Sequence, residues 1–421
     1  MKEIVLYLGN ARTGEYEWFY EHGIDIGIIL DVNNSKNIAD LSKFTLVETF
    51  NFTMGHIEDL FTIIENIKTR YNILCLLNMR EFYVRQSAIL SEKFNLRGLS
   101  IEAAENSLSK TKMRELFLKK LGKDTTAQYT EVGNVKELRD FINQVGLPVI
   151  IKPHNLYASL FVEKITDEDQ IEKSYYAIKE GVLAYYKKKN IKSSNEKLLA
   201  EEFLEGYTHS IDCLIDEEGI VYTTPIVDGF TARDYGGNDF NRCAAIFPSQ
   251  LKKAKQEQAR ELAKCAVKAL GITSSLAHVE LVFTSQGPKL LEVGARIGGS
   301  RAQMLNKAFG IDLVPAYAKM LQGKNFEEEL KVKWEKGFAF ARPLPSKRGV
   351  FRGLNNIDKI LSLPSFYDQR LSIEAGTIVG PSKNGYMHFW TLECYSDDFN
   401  KVRTDIQSVL KEKNLFDIDF E

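Results

Sequence analysis

The chain has 421 residues with 55 Lys+Arg against 57 Asp+Glu, a formal net charge of -2. That is enough material for two or three domains, and it excludes a small stapled scaffold; the near-neutral balance supplies no large field for a polyanion, which sets nucleic acid aside as a partner. Hydrophobic residues at 44%, charged residues at 27% and a mean hydropathy of -0.23 describe a soluble globular chain, and no apolar run approaches the roughly 20 residues of a membrane span. Cys75, Cys213, Cys243, Cys265 and Cys394 are odd in number, far apart and without a C-x-x-C pair. They read as reduced core thiols, and with only a short apolar run after Met1 the expected location is the cytoplasm.

In chain order, short apolar runs at 4–8, 26–31 and 73–78 alternate with helix-length segments such as 56–69, the signature of a parallel α/β unit. The loop Gly9-Asn10-Ala11-Arg12-Thr13-Gly14 follows the first run but lacks the G-x-G-x-x-G spacing of a dinucleotide turn. A helix is expected over 110–121, with Met113, Leu116, Phe117 and Leu121 on one face and Gly122 as its stop. Gly146-Leu147-Pro148 opens an apolar strand at 149–151 that ends in Lys152-Pro153. The stretch 167–189 reads as a charged helix whose basic run 187–189 is a solvated face. Leu198-Leu199-Ala200 leads through Glu201-Glu202-Phe203-Leu204-Glu205-Gly206 into a strand at 210–216. A long helix over 251–270, capped by Gly271, precedes a hairpin with strands at 278–284 and 289–293 around a turn at 285–288. The remainder reads as a small α+β appendage ending in an amphipathic helix near 399–413. The fold class is thus mixed α/β and α+β: an N-terminal parallel α/β domain over 1–105, a two-lobed domain over 106–334 with a lid at about 123–205, and the C-terminal α+β subdomain over 335–421.

The chemistry concentrates on the hairpin. Antiparallel pairing can bring Glu280 and Glu292 to one face, where two hard oxygen ligands beside a nucleotide's phosphates suit Mg²⁺. A solvent-facing pair is the alternative, but Glu280 stands inside the apolar run 279–283, where an unpaired carboxylate is costly. Lys152 at a buried strand's end and Lys110 at a helix start are placed to meet phosphate oxygens. The loop 229–242, with Arg233, Gly236-Gly237 and Arg242, could cover a second substrate, and Arg342 is a candidate carboxylate anchor.

These segments, in this order, resemble the ATP-grasp superfamily of ADP-forming carboxylate–amine ligases: Ser109-Lys110 with Met113-Arg114, the run from Gly146 to Pro153, the run from Glu201 to Gly206, then Glu280 followed by Glu292-Val293-Gly294-Ala295-Arg296-Ile297-Gly298-Gly299. The C-terminal region is most similar to the L-amino acid ligase branch, which makes dipeptides. The resemblance implies ATP between two lobes, with backbone near Glu201, Glu202 and Phe203 reading the adenine edge, Leu204 packing on it and His209 on the ribose. Lys110 and Lys152 would neutralise phosphates, with Ser159 the remnant of a flap that closes over them. Glu280 and Glu292 would hold one or two Mg²⁺ ions, for which Mn²⁺ can substitute. Arg296 would stabilise the acyl phosphate and tetrahedral anions, helped by backbone N–H groups of Gly298-Gly299; Arg301 would bind a substrate carboxylate and His278 would line the acyl pocket. The implied partners are a small-molecule carboxylate and an amine, with no membrane or nucleic acid, in an assembly that is often a homodimer. An ATP-grasp carboxylase, a ligase of nucleotide biosynthesis with another acid, and a non-catalytic ATP-binding regulator are the alternatives. Two departures bear on them: the flap 154–160 lacks glycine and carries Tyr157, and Gly294 stands where an Asn usually completes the second metal strand.

Overall fold

The computed structural model describes residues 1–32, 40–51, 57–154, 156, 159–189, 197–412 and 414–420, without the side chains of residues 188 and 189. The chain starts with β1 (Lys2–Leu8), β2 (Ile26–Asp31), β3 (Leu46–Phe50) and β4 (Tyr71–Asn78), a parallel sheet in the order β3-β2-β1-β4. Both faces are covered, so β1 alternates between two cores. Ile4, Leu6 and Leu8 pack under the helices Ile57–Lys68 and Val84–Lys93, whereas Val5 and Tyr7 meet Met304, Leu305 and Leu313 from helices of the central region. The N-terminal unit is thereby bonded to the body through its own core. The edge strand β3 was not legible as a strand, because its middle residues Val47, Glu48 and Thr49 are at least partly exposed and break the apolar run.

The lid carries β5 (Tyr129–Val132), β6 (Val149–Pro153), β7 (Glu163–Ile165) and β8 (Leu198–Glu202), antiparallel in the order β5-β8-β6-β7. The helices Val135–Val145 and Ile171–Lys189 cover one face. The charged helix expected from 167 starts at Ile171, after a 3₁₀ turn at Glu168–Gln170. Lys187 is exposed, and the side chains of the rest of its basic run lie outside the described residues.

The body contains β9 (Tyr207–Ile215), β10 (Val221–Thr223), β11 (Val227–Thr231), β12 (Arg242–Phe247), β13 (Ser275–Thr284) and β14 (Gly287–Gly294). The hairpin turn is tighter than expected, with only Ser285 and Gln286 between the strands. Behind β9, β13 and β14 pack the helices Ile101–Leu108, Lys110–Leu121 and Lys253–Ala269. The C-terminal segment supplies β15 (Gly337–Ala341), β16 (Gly349–Leu354), β17 (Phe366–Leu371), β18 (Ile378–Val379), β19 (Trp390–Ser396) and β20 (Phe416–Phe420). Its first strand joins the body: β15 pairs antiparallel with β12, so β14-β13-β9-β11-β12-β15-β19-β17 run as one sheet. Only β18-β16-β20 stand apart, and the last helix is Phe399–Lys411, with Lys413 outside the described residues.

Cys75, Cys213, Cys243 and Cys394 are free and buried as expected, but Cys265 is exposed on the outer face of its helix. Gly206 joins the lid to β9 with φ 153°, where an added Cβ would lie 2.1 Å from the Phe283 carbonyl oxygen. That oxygen belongs to a paired strand and cannot withdraw. Gly206→Ala is therefore expected to destabilise the chain by about 1–3 kcal/mol, read as a lower midpoint in denaturant unfolding; an unchanged midpoint would show that the hinge absorbs the clash.

Candidate active site

Alternation along two strands decides which side chains face the cleft between lid and body. In β9 and β13 the register sets His278 opposite Asp212, Glu280 opposite Ser210 and Val282 opposite Thr208. These six share one face, and the intervening Ile211, Val279 and Leu281 go into the core behind it. The cleft, about 880 Å³, is lined from all parts of the chain, among them Arg12, Lys152, Glu201, Glu280, Glu292 and Arg342.

Glu280 and Glu292 are direct cross-strand partners. Glu280 receives Arg242 at 3.2 Å and shares a hydrogen bond with His278 Nε2 at 3.1 Å. Burial by itself would raise its pKa, but Arg242 and His278 outweigh that and hold the carboxyl well below the usual carboxylate range. Glu292 faces Lys110, whose Nζ lies 3.2 Å from its Oε1 and also donates to the Leu156 carbonyl at 2.9 Å. Among the described residues no third His, Cys, Asp or Glu joins them in a ready-made metal cluster. The donor set fits Mg²⁺ all the same: this ion commonly takes one or two carboxylates and fills its octahedron with phosphate oxygens and water.

Lys152 donates to Glu201 Oε2 at 2.6 Å, and the same carboxylate takes Arg114 Nε at 3.1 Å. Both lysines, expected with free ammonium groups, are thus held by site carboxylates. Burial, the largest effect on Lys152, lowers its pKa, with Arg114 and Lys110 adding to this against Glu201. The Glu201 carboxyl stays below its ordinary value because Arg114 and Lys152 outweigh its own burial.

At the hinge, the Glu202 N–H donates to Gln128 O at 2.9 Å and the Phe203 N–H to Pro148 O at 3.3 Å. Those groups are spent on the lid sheet. Among the described hydrogen bonds, Leu204 is the first hinge residue whose N–H has no main-chain acceptor, which moves the expected edge reading from Phe203 to Leu204. Phe203 instead carries Lys164 Nζ 3.8 Å and Arg233 Cζ 4.6 Å from its ring centroid. Ser159 lines the cleft at φ 54°, while Asn155, Tyr157 and Ala158 lie outside the described residues.

Three further expectations are corrected. His209 is one residue out of phase with the cleft face: it is buried, 3.0 Å from Asp228 and edge-on to Phe283, and it does not line the cleft. Arg301 does reach the cleft wall, yet its guanidinium is committed to Ser210 Oγ at 3.0 Å and Asp212 at 3.3 Å, so it positions Asp212 and, through it, His278 at 3.1 Å. The Gly298 N–H donates to Asp212 Oδ1 at 2.7 Å and is not free for a substrate anion. Gly298 also has no room for a side chain, since a Cβ would sit 2.5 Å from His278 Nδ1.

Arg296 pairs with Glu81 at 2.7 Å, a contact that sequence distance concealed. The pair also lies beside Gly294, where a Cβ would come within 2.9 Å of Glu81 Oε2 and the carboxylate would have to shift. Asp212 and Arg242 were the other groups missed as parts of the carboxylate network; only the β9–β13 register and the β11–β12 hairpin bring them in.

With this geometry established, the chain can be compared with known proteins. Residues 145–303 match the family model of the ATP-grasp domain. Alanine--anticapsin ligase of Bacillus subtilis (strain 168) is 29% identical over 247 residues, 55% of this chain and 50% of that protein. The formate-dependent phosphoribosylglycinamide formyltransferase of Methanocaldococcus jannaschii is 25% identical over 205 residues, 46% of this chain and 47% of that protein. The chain spans about half the length of the curated relatives it matches. Among solved structures, the L-amino acid ligase of Bacillus licheniformis superposes with a TM-score of 0.76 at 17% identity, covering 100% of both chains. The chain carries an ATP-grasp domain and has the ATP-grasp fold, which bears out the expected fold class. No helix among the described residues is long and apolar enough to cross a membrane.

The correction at His209 is testable. His209→Leu should leave the KM for ATP within about twofold while lowering stability by about 1–2 kcal/mol, because Asp228 keeps Ser249 and the Gln250 N–H but loses the imidazole. A KM raised tenfold would return His209 to the nucleotide site.

Proposed function

We propose that this chain is an ATP- and Mg²⁺-dependent ligase that activates the carboxylate of an amino acid or similar small acid and joins it to an amine, most simply a second amino acid. The single observation that carries this reading is the direct pairing of Glu280 with Glu292 beside Lys110. Adenine binding alone has no need of two opposed carboxylates with a cation between them and the lid.

In this reading ATP lies across the hinge with its phosphates toward Lys110 and Lys152, which exchange Glu292 and Glu201 for phosphate oxygens. Bound Mg²⁺ supplies neutralisation of the β- and γ-phosphate oxygens. Glu280 and Glu292 hold it, and His278 and Arg242 fix the Glu280 carboxylate in place. The substrate carboxylate oxygen attacks the γ-phosphorus, the bond to ADP breaks, and an acyl phosphate results. Arg296, kept in place by Glu81, faces the charge that develops on the acyl oxygen when the amine nitrogen attacks. The amine then loses its proton, the C–O bond to phosphate breaks, and amide, ADP and phosphate are released.

The amino-acid acceptor is supported over a carboxylase or a nucleotide-pathway ligase by a similar sequence named for joining alanine to anticapsin. Phosphate release from ATP and Mg²⁺, measured against paired amino acids, other small acids and amines with each component omitted in turn, should require both an acid and an amine. Glu292→Ala should lower that turnover by about 10³-fold or more, and chelation should abolish it until Mg²⁺ or Mn²⁺ is restored. Undiminished turnover in Glu292→Ala would overturn the metal assignment, and release that ignores the amine would overturn the ligase reading. Lys152→Met should raise the KM for ATP about tenfold or more through the lost phosphate contact; an unchanged value would remove Lys152 from the phosphate site.

A further inference from the structure

Nearly every cation lining the cleft already has a carboxylate partner. Lys110 has Glu292, Lys152 has Glu201, Arg80 has Glu15, Arg242 has Glu280, Arg296 has Glu81, Arg301 has Asp212 and Arg370 has Glu393. Arg342 departs from this pattern. Its Nη2 donates to Ser300 Oγ at 2.6 Å, its Nε donates to Thr391 Oγ1 at 3.1 Å, and its Cζ lies 4.1 Å from the Phe340 ring centroid. Among the described residues no carboxylate comes within ion-pairing distance of it. Two neutral hydroxyls and a ring face orient the guanidinium in a partly buried place, and Glu393 acts on its charge only from beyond ion-pairing distance, so a bound anion would complete the arrangement.

A second guanidinium points to the same place. Arg12, from the loop after β1, is ion-paired with Glu15 at 3.7 Å, but its buried Nη1 makes no hydrogen bond among the described residues. Its Nη1 is also the nearest group to a Cβ built on Gly299, at 3.8 Å, next to the Ser300 that binds Arg342. Burial and then the charge of Arg12 are the two largest influences on Arg342, pushing its pKa down to about 9, so it remains a cation at neutral pH. His388 lines the same wall.

We propose that Arg342 and Arg12 form an anion subsite that anchors a carboxylate or phosphate group of the amine substrate. The inference rests on the ligase reading and names the acceptor class within it. Arg342 follows β15, four positions along the sheet from β13, whereas the carboxylate to be phosphorylated must lie by Glu280, Glu292 and Arg296. An anion at Arg342 is thus assigned to the acceptor, and the test distinguishes it from a second anionic group on the acid. The subsite joins the N-terminal loop to the end of β15, so it exists only when both parts are docked on the body.

The test compares acceptors of one size that differ in charge. L-alanine should be used with a KM at least about tenfold below that of L-alaninamide, and phosphoethanolamine against ethanolamine reports whether phosphate serves in place of carboxylate. Arg342→Met and Arg12→Met should each raise the KM for the anionic acceptor about tenfold with a smaller change in kcat, and the KM for ATP should stay within about twofold. Equal use of L-alanine and L-alaninamide would overturn the subsite as an acceptor anchor, and so would a dependence on a second anionic group of the acid instead. If no acid and amine pair turns over, the ligase reading fails, and the subsite is judged by binding alone. A crystal soaked in selenate should then show anomalous density touching Arg342 and Arg12 that disappears in Arg342→Met; absence of that density in the unsubstituted protein would overturn the subsite.

Discussion

Charges taken out of bulk water have to be paired, and in this chain the pairing is what fastens separate parts of the fold around one cleft. Arg114 and Glu201 join the body to the lid at 2.9 Å with both side chains buried. Lys152 adds a second cation to the same carboxylate, and Arg296 with Glu81 ties the turn after β14 to the N-terminal unit. The Arg114–Glu201 and Arg296–Glu81 pairs sit at junctions between parts, and the Lys152–Glu201 pair lies within the lid sheet beside the first of them. The cleft is therefore walled by ion pairs that join its separate parts.

The lid is also held from the other side. The Phe161 N–H donates to the Ser382 carbonyl at 3.1 Å, and the Ser382 N–H donates to Asp239 Oδ2 at 2.6 Å. The Ser382 hydroxyl bonds the same aspartate. A lid loop, the 229–242 loop and a C-terminal turn thus meet at one aspartate, and the ring of Phe161 fills the space beside Gly385, where a Cβ would come within 2.5 Å. Because the C-terminal strands extend the body's own sheet, this turn is carried on the same sheet as the β13–β14 hairpin.

Strand alternation explains why some chemistry-bearing residues serve the cleft and others do not. A shift of one residue sends a side chain to the other face of a sheet. Thr208, Ser210 and Asp212 line up with Val282, Glu280 and His278 on the cleft side, and His209, between them in sequence, is turned to Asp228 and Phe283 behind the sheet. Space acts as a second filter. Gly294 looks like a loss of function when read as a letter, but the Glu81 carboxylate lies close beside it, and His278 occupies the room beside Gly298.

The sequence by itself determined what local periodicity and local chemistry can carry. The helix Lys110–Leu121 and the strands β1, β2 and β4 follow from apolar spacing and stop residues, and so does the existence of the hairpin that carries Glu280 and Glu292, whose direct pairing depends on a register shift between Glu280 and Leu281. The tertiary structure decided everything that depends on partners distant along the chain: Glu81 for Arg296, Glu201 for Lys152, Asp212 for both His278 and Arg301. It also decided that residues 337–341 sit between β12 and β19 in the body's sheet, because a strand's partners are not encoded in its own apolar pattern. Long-range electrostatics leave no periodic mark in a sequence, so the wiring of the cleft, and the unpaired Arg342 within it, became legible only once the chain was folded.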